Sequence, residues 1–493
     1  AILQDEWIYM VSSRLVSPWD QQPRLDFGNY LFNVVYGATN LCGEAFYTCA
    51  KVMNLVFIQG FALTLLVVAL RFIPFWGALV FYVAVALSPT SVYSSMFLPE
   101  SMFFFLIGLT LIAILRTADH PSWQNWAWVG LPLGLTALVK PHALMAAMAI
   151  GIYLLISTIE EKPYWKNALL NAGALLGSFL LVRVGVGLAL AGPKALNVFG
   201  AYGASSAVGE FVGGVATGGA GTEAGSLVGA GPVAGAVGLF STQLWTHTLV
   251  TSALLGVAIV AIIIATIHSF RADHVRPVHR LAVLMLIWLV FMVIAIVLFT
   301  GWVTGSGDDH TTRVLERYYD YLFPMVMLAG VAVMADKQIL AETKAWIRWL
   351  VIFPVFLFIS IAFTGYFGTL TIQIADAPNL AGLVVDKTTV DTVANLSFLA
   401  LLVIAFFPKF AIWAAALVVP ATMIGTGYQI QDQYQGFRLE DSAADLAGHY
   451  AKESLTQSEI DTTTILAESR FDGRVASFWM EANNNLEILN PGS

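Results

Sequence analysis

Residues 281–302 read LAVLMLIWLVFMVIAIVLFTGW, 22 positions without a charged side chain. About 20 apolar residues in a helix cross a bilayer, and backbone inside lipid must satisfy its own hydrogen bonds. Twelve stretches of this chain answer to that description, at about 52–70, 75–90, 101–115, 126–139, 142–159, 168–191, 244–267, 281–302, 321–335, 346–366, 396–408 and 410–427. Several are short for a 30 Å hydrocarbon core, and the pair flanking Pro141 reads either as two spans or as one kinked excursion. Only 11% of the 493 residues are charged, against about 25% in a soluble domain. The expected fold is therefore an all-α polytopic membrane protein.

Orientation follows from the loops. One alternating set is short and carries eleven Lys and Arg against six acids, from Arg71 and Arg116 to Lys344 and Lys409. The other set, residues 1–51, 192–243, 303–320, 367–395 and everything after 427, is long and holds most of the acids. The short basic set is expected in the cytoplasm, which places both ends of the chain outside. The chain begins with Ala1 and the polar run Gln4-Asp5-Glu6, so a further helix is expected to precede it.

Within the outer set, the aromatic stretch in 20–50 reads as amphipathic helices on the membrane surface. Residues 200–238, rich in Gly and Ala, read as a mobile loop or a lid. From about 438 the pattern alternates: Ala443–Leu455 and Asp472–Glu481 look helical, Thr462–Leu466 and Leu486–Leu489 extended. The division drawn from this is a membrane domain at 1–427 and a small extracytoplasmic α/β unit at 428–493. Cys42 and Cys49, on one helix, would lie about 10 Å apart and read as apolar side chains, not a disulfide.

Charges at the bilayer edge carry the chemistry, because burying them is costly unless they serve a cavity. Asp5 and Glu6 are adjacent on a helix and point to different sides, so one of them at most faces a given substrate. Asp5 beside Trp7 and Tyr9 reads either as a general base or as a solvated helix cap. Lys140-Pro141-His142 breaks an apolar run, offering a cation to an anionic headgroup or leaving a snorkelling lysine. Arg313 and Arg317, four apart, would share a helical face as a phosphate clamp, or else pair with Glu316 and Asp320 in a structural network. Asp308-Asp309-His310 is a weak candidate for a divalent ion. Arg183, mid-span, must face the bundle interior. Glu100, after Pro99, suits substrate hydroxyls or simply caps its helix. No Walker loop, GxSxG or HExxH is present, nor a basic patch for nucleic acid.

Taken in order, Asp5-Glu6, then Gly43-Glu44 with Lys51 and Asn54, Pro99-Glu100, Lys140-Pro141 and Arg313-x-x-x-Arg317-Tyr318-Tyr319 resemble the GT-C superfamily of polyprenyl-phosphate-sugar glycosyltransferases. The plan is similar to lipid A aminoarabinose transferases and protein O-mannosyltransferases. Lys51 stands where those families more usually have Arg, and residues 20–33 lack a Pro-Pro pair common in the mannosyltransferases, leaving the acceptor class open. The resemblance implies Asp5 as base, Glu6 in support, and Lys51, Lys140, Arg313 and Arg317 on the donor phosphate. Glu100, His142, Tyr318 and Tyr319 would line the substrate. It implies no required cofactor and no metal. The expected activity is inverting transfer of a monosaccharide from a polyprenyl-phosphate donor to a lipid, glycan or protein acceptor, on the outer face of a bacterial inner membrane. The rivals are a transporter or flippase of lipid-linked substrates, disfavoured by the lack of matching halves, and an O-antigen ligase or polymerase.

Overall fold

The computed structural model describes residues 4–17, 19, 28–158, 164–197, 232–271, 274–305, 313–439, 441–482 and 485–489. The Asp308-Asp309-His310 run and nearly all of the glycine-rich loop fall outside those residues.

Each of the twelve apolar stretches is helical over most of its described residues. Among the described residues, eight helical stretches are long and apolar enough to cross a membrane, or up to nine if Phe75–Ala86 and Pro89–Ser95, bent by 52°, count as one broken span. The chain is a multi-pass membrane protein. Even the larger count falls below twelve because Trp123–Val139, with 17 residues, Ala143–Ser157 and Leu322–Ala335 are short. Leu322–Ala335 nonetheless has every residue from Leu322 to Met334 buried, so protein rather than lipid surrounds it. The longer helices do show lipid-facing side chains, such as Val290, Leu298, Phe353 and Leu417, each exposed.

Label α1 Gln4–Met10, α2 Tyr30–Gly37, α3 Phe46–Ala69, α4 Phe75–Ala86, α5 Glu100–Asp119, α6 Trp123–Val139, α7 Ala143–Thr158 and α8 Tyr164–Leu180. Helices α6 and α8 pack closely through Gly130 and Gly134, four apart on one face. A Cβ on Gly130 would meet Ser178 Oγ at 2.0 Å, and one on Gly134 would meet Val182 Cβ at 2.8 Å. Small residues at this spacing let helix backbones approach in lipid, where no hydrophobic force brings them together. A π-helical turn at Leu181–Val186 follows α8 and turns Arg183 inward. That side chain is 1% exposed and donates to the Ala195 carbonyl at 3.0 Å, so the mid-span charge lies in the interior.

Two expectations about residues 20–50 need correction. The stretch does contain a helix, α2, but Tyr30, Phe32 and Tyr36 are buried rather than spread on the membrane surface. Phe32 stacks on Tyr36 at 4.1 Å, and both meet Phe97 edge-on. Cys42 and Cys49 form a disulfide, with Cα atoms 6.6 Å apart. They do not share a helix. Ala38–Ala45 is a 3₁₀ segment broken at Gly43, whose φ of +55° suits glycine, and α3 starts only at Phe46. The bend folds Cys42 back toward Cys49.

The tail forms helices at Ala443–Ser454, Gln457–Thr462 and Arg470–Trp479 and strands at Thr464–Ala467 and Asn485–Ile488, which pair in parallel. Capping boxes at Ser442/Asp445 and Thr456/Glu459 start two of its helices. The tail is fastened to the beginning of the chain. Trp7 Nε1 donates to the Ala482 carbonyl at 3.2 Å, Arg14 pairs with Glu481 at 2.6 Å, and Phe478 packs on Phe46 and Tyr47.

Candidate active site

Five chain segments distant in sequence bring charge together. Helix α1 supplies Asp5 in its first turn, where carboxylates are favoured by the unpaired N–H groups. Pro99 ends an irregular run and α5 begins at Glu100. Pro141 halts α6, leaving Lys140 in extended backbone at its end. A loop before Leu322 carries Arg313 and Arg317, and a second loop leading into the helix Pro378–Val384 carries Asp376.

These six residues form one ion-pair network. Arg317 Nη1 donates to Asp5 Oδ2 at 2.9 Å, with its Nε 3.7 Å from Glu100 Oε1 and its Nη1 3.5 Å from Asp376 Oδ1. Lys140 Nζ donates to Glu100 Oε1 at 2.9 Å, and Arg313 Nε to Asp376 Oδ2 at 2.6 Å. Exposure grades across the network. The Asp5 and Arg313 side chains are 43% and 28% exposed, those of Arg317 and Lys140 9% and 5%, and the Asp376 and Glu100 side chains 2% and 0%. Lys140 is thus a buried ammonium held by a buried carboxylate, not a snorkelling one. Glu100 Oε2 is buried without a hydrogen-bond partner among the described residues. Burial alone would raise the Asp5 carboxyl; Arg317, with Arg313 and Lys140, outweighs it and holds Asp5 below its ordinary value.

Glu6 turns the other way, as adjacent helical positions must. It is fully buried, accepting from Tyr47 Oη at 2.9 Å and the Phe97 amide at 2.7 Å. Lys51 is exposed, its ammonium 4.2 Å above the Tyr47 ring, and so approaches from the Glu6 side rather than through the arginines. His142 stacks on Tyr318 at 4.4 Å, and Lys140 Nζ lies 5.4 Å over the same ring.

Three expectations change. Arg313 and Arg317 do not share a helix, because Arg313 makes a β-bridge to Thr371 and only Glu316–Tyr318 turns as 3₁₀. They converge instead because both reach Asp376, whose carbonyl also accepts the Arg317 amide at 2.7 Å. Glu316 and Asp320 do not pair with the arginines. Glu316 accepts from the Leu380 amide at 3.2 Å, and Asp320 from Tyr93 Oη at 2.7 Å and Asn379 Nδ2 at 2.9 Å. Burial pushes Asp320 up to about 7 and Glu316 well above its ordinary range, so this pair is prone to hold a proton. Tyr319, expected beside Tyr318 on the substrate, is fully buried behind it and bonds His247 Nδ1 at 2.7 Å. Asp376 escaped the sequence reading, since a single acid in a polar loop carries no spacing; its position one residue before Ala377-Pro378 at a helix start was the available hint.

The network offers chemically a partly exposed carboxylate next to guanidinium and ammonium groups, the combination a base and an oxyanion clamp require. No protein-family model matches the chain, and no curated protein is similar enough to match. Among solved structures, it is similar to ArnT from Cupriavidus metallidurans in the apo state, at 16% identity and a TM-score of 0.43, over 99% of this chain and 81% of that one. It is likewise similar to the same protein bound to undecaprenyl phosphate, at 15% identity and a TM-score of 0.46, over 99% and 82%.

Proposed function

We propose that this chain is an inverting glycosyltransferase that moves a monosaccharide from a polyprenyl-phosphate donor to a lipid, glycan or protein acceptor at the outer face of a bacterial inner membrane. The observation that carries this reading is the meeting of Asp5 with Arg317, Lys140 and Arg313 in a graded, partly exposed cluster of a multi-pass membrane protein. In the reaction, Asp5 takes the proton of the acceptor hydroxyl. The acceptor oxygen then forms its bond to the anomeric carbon as the bond from that carbon to the phosphate oxygen breaks. The electron pair leaves with the polyprenyl phosphate, whose growing charge Arg317, Arg313 and Lys140 offset. Attack opposite the leaving group inverts the anomeric centre. In this reading Glu100 and Tyr318 receive sugar hydroxyls.

Two independent features support the outer location. The short loops hold the Lys and Arg, so the segments carrying Asp5, Arg317 and Asp376 belong to the other side. The Cys42–Cys49 disulfide, close to Glu6 through Tyr47, is a bond that persists in oxidising compartments.

Mass spectrometry of membrane lipids and surface glycans in a deletion strain tests the proposal. One sugar modification is expected to vanish, to return with the wild-type gene, and to stay absent with Asp5→Asn, since losing a base costs about 10²- to 10⁴-fold in rate. Restoration by Asp5→Asn at wild-type levels would remove the assigned base.

A further inference from the structure

The network is charge-balanced as it stands. Lys140, Arg313 and Arg317 face Asp5, Glu100 and Asp376, three cations to three carboxylates. Beyond them lie Arg474, stacked 5.1 Å from the Trp7 ring, and Glu6, already satisfied by Tyr47 and Phe97. Within the six-residue network each cation has a counter-charge. An arriving phosphate therefore has to displace a carboxylate, or leave buried negative charge uncompensated, which is costly.

The carboxylates differ in their freedom to move. Glu100 is 0% exposed and starts a helix; Asp376 is 2% exposed and holds both arginines. Asp5 alone is substantially exposed, and it sits on the short helix Gln4–Met10 with one strong bond, to Arg317 Nη1. It is the carboxylate that water can receive most easily.

We infer that the Asp5–Arg317 ion pair is a latch that the donor's phosphate opens. The phosphate takes the place of the Asp5 carboxylate on Arg317, and the released carboxylate becomes available to the acceptor hydroxyl. Before that event Asp5 is a poor base, because its charge is spent on the guanidinium. Afterwards its strongest cationic neighbour is neutralised and its affinity for a proton rises. Base activation is thus tied to donor occupancy, so a hydroxyl or water arriving without donor meets a disabled site. This inference rests on the donor class proposed above.

The test is the affinity of a polyprenyl phosphate, without sugar, for the full chain in nanodiscs of neutral lipid. Removing the competing carboxylate is expected to tighten binding: Asp5→Asn, and Asp5→Ser as a second variant, should each bind about tenfold more strongly than wild type. In the Arg317→Ala background, Asp5→Asn should bring no further gain, because the competition passes through Arg317. If wild type binds the lipid and both Asp5 variants bind no tighter, the latch is wrong while the donor class stands. If the wild-type chain shows no binding above empty nanodiscs, the donor class falls, and the latch falls with it.

Discussion

Asp376 shows how one buried side chain organises the site. Its carboxylate, 2% exposed, receives Arg313 and lies 3.5 Å from Arg317, two side chains whose long stems would otherwise sample many rotamers. Converting it to an amide keeps the shape and removes the charge. Asp376→Asn is expected to weaken polyprenyl-phosphate affinity about tenfold while shifting thermal stability little compared with Asp376→Ala. Equilibrium binding together with a melting curve checks this; unchanged affinity would mean the arginines hold their places without it. At this scale the sequence revealed charges that have an energetic reason to be conspicuous. Lys140 interrupts an apolar run, and Arg317 and Asp5 sit at the mouths of helices. Asp376 is an acid in a polar loop, where acids are ordinary, and only its tertiary neighbours distinguish it. The same limit applies to Tyr319, since adjacent aromatics look equivalent until a 3₁₀ turn sends one of them to His247.

Helices were the most legible elements, because lipid enforces a run of apolar residues whatever the fold. Segments shaped by local backbone breaks were read less well. A continuous helix would hold Cys42 and Cys49 too far apart to bond, but the backbone breaks at Gly43. That disulfide closes the segment leading into α3, next to Tyr47 and its bond to Glu6. Without reductant, maleimide labelling of the denatured chain is expected to modify neither cysteine. The Cys42→Ser/Cys49→Ser variant should lose about 2 kcal/mol or less, since the closed loop is short. Labelling of both thiols in unreduced protein would show that the bridge does not form.

Across the whole molecule, the beginning and the end of the chain hold each other. Trp7 bonds Ala482 across 475 residues, and Arg14, 4% exposed in its side chain, pairs with Glu481. Breaking a pair so sheltered costs about 3 kcal/mol. Glu481→Ala is therefore expected to loosen the tail, hastening proteolysis within 441–482 and lowering the proposed sugar transfer through displacement of α1. Unaltered cleavage kinetics would indicate that aromatic packing by Phe478 suffices. The network containing Asp5 draws on residues 5, 100, 140, 313, 317 and 376, and the clasp on α1 closes only with residues 481 and 482. In the order in which a ribosome delivers them, Glu100 and Lys140 can join while most of the chain is still unmade. Asp5 must wait for Arg317, and its helix for Glu481 and Ala482. A half-made chain already threaded into the bilayer consequently lacks the assembled network.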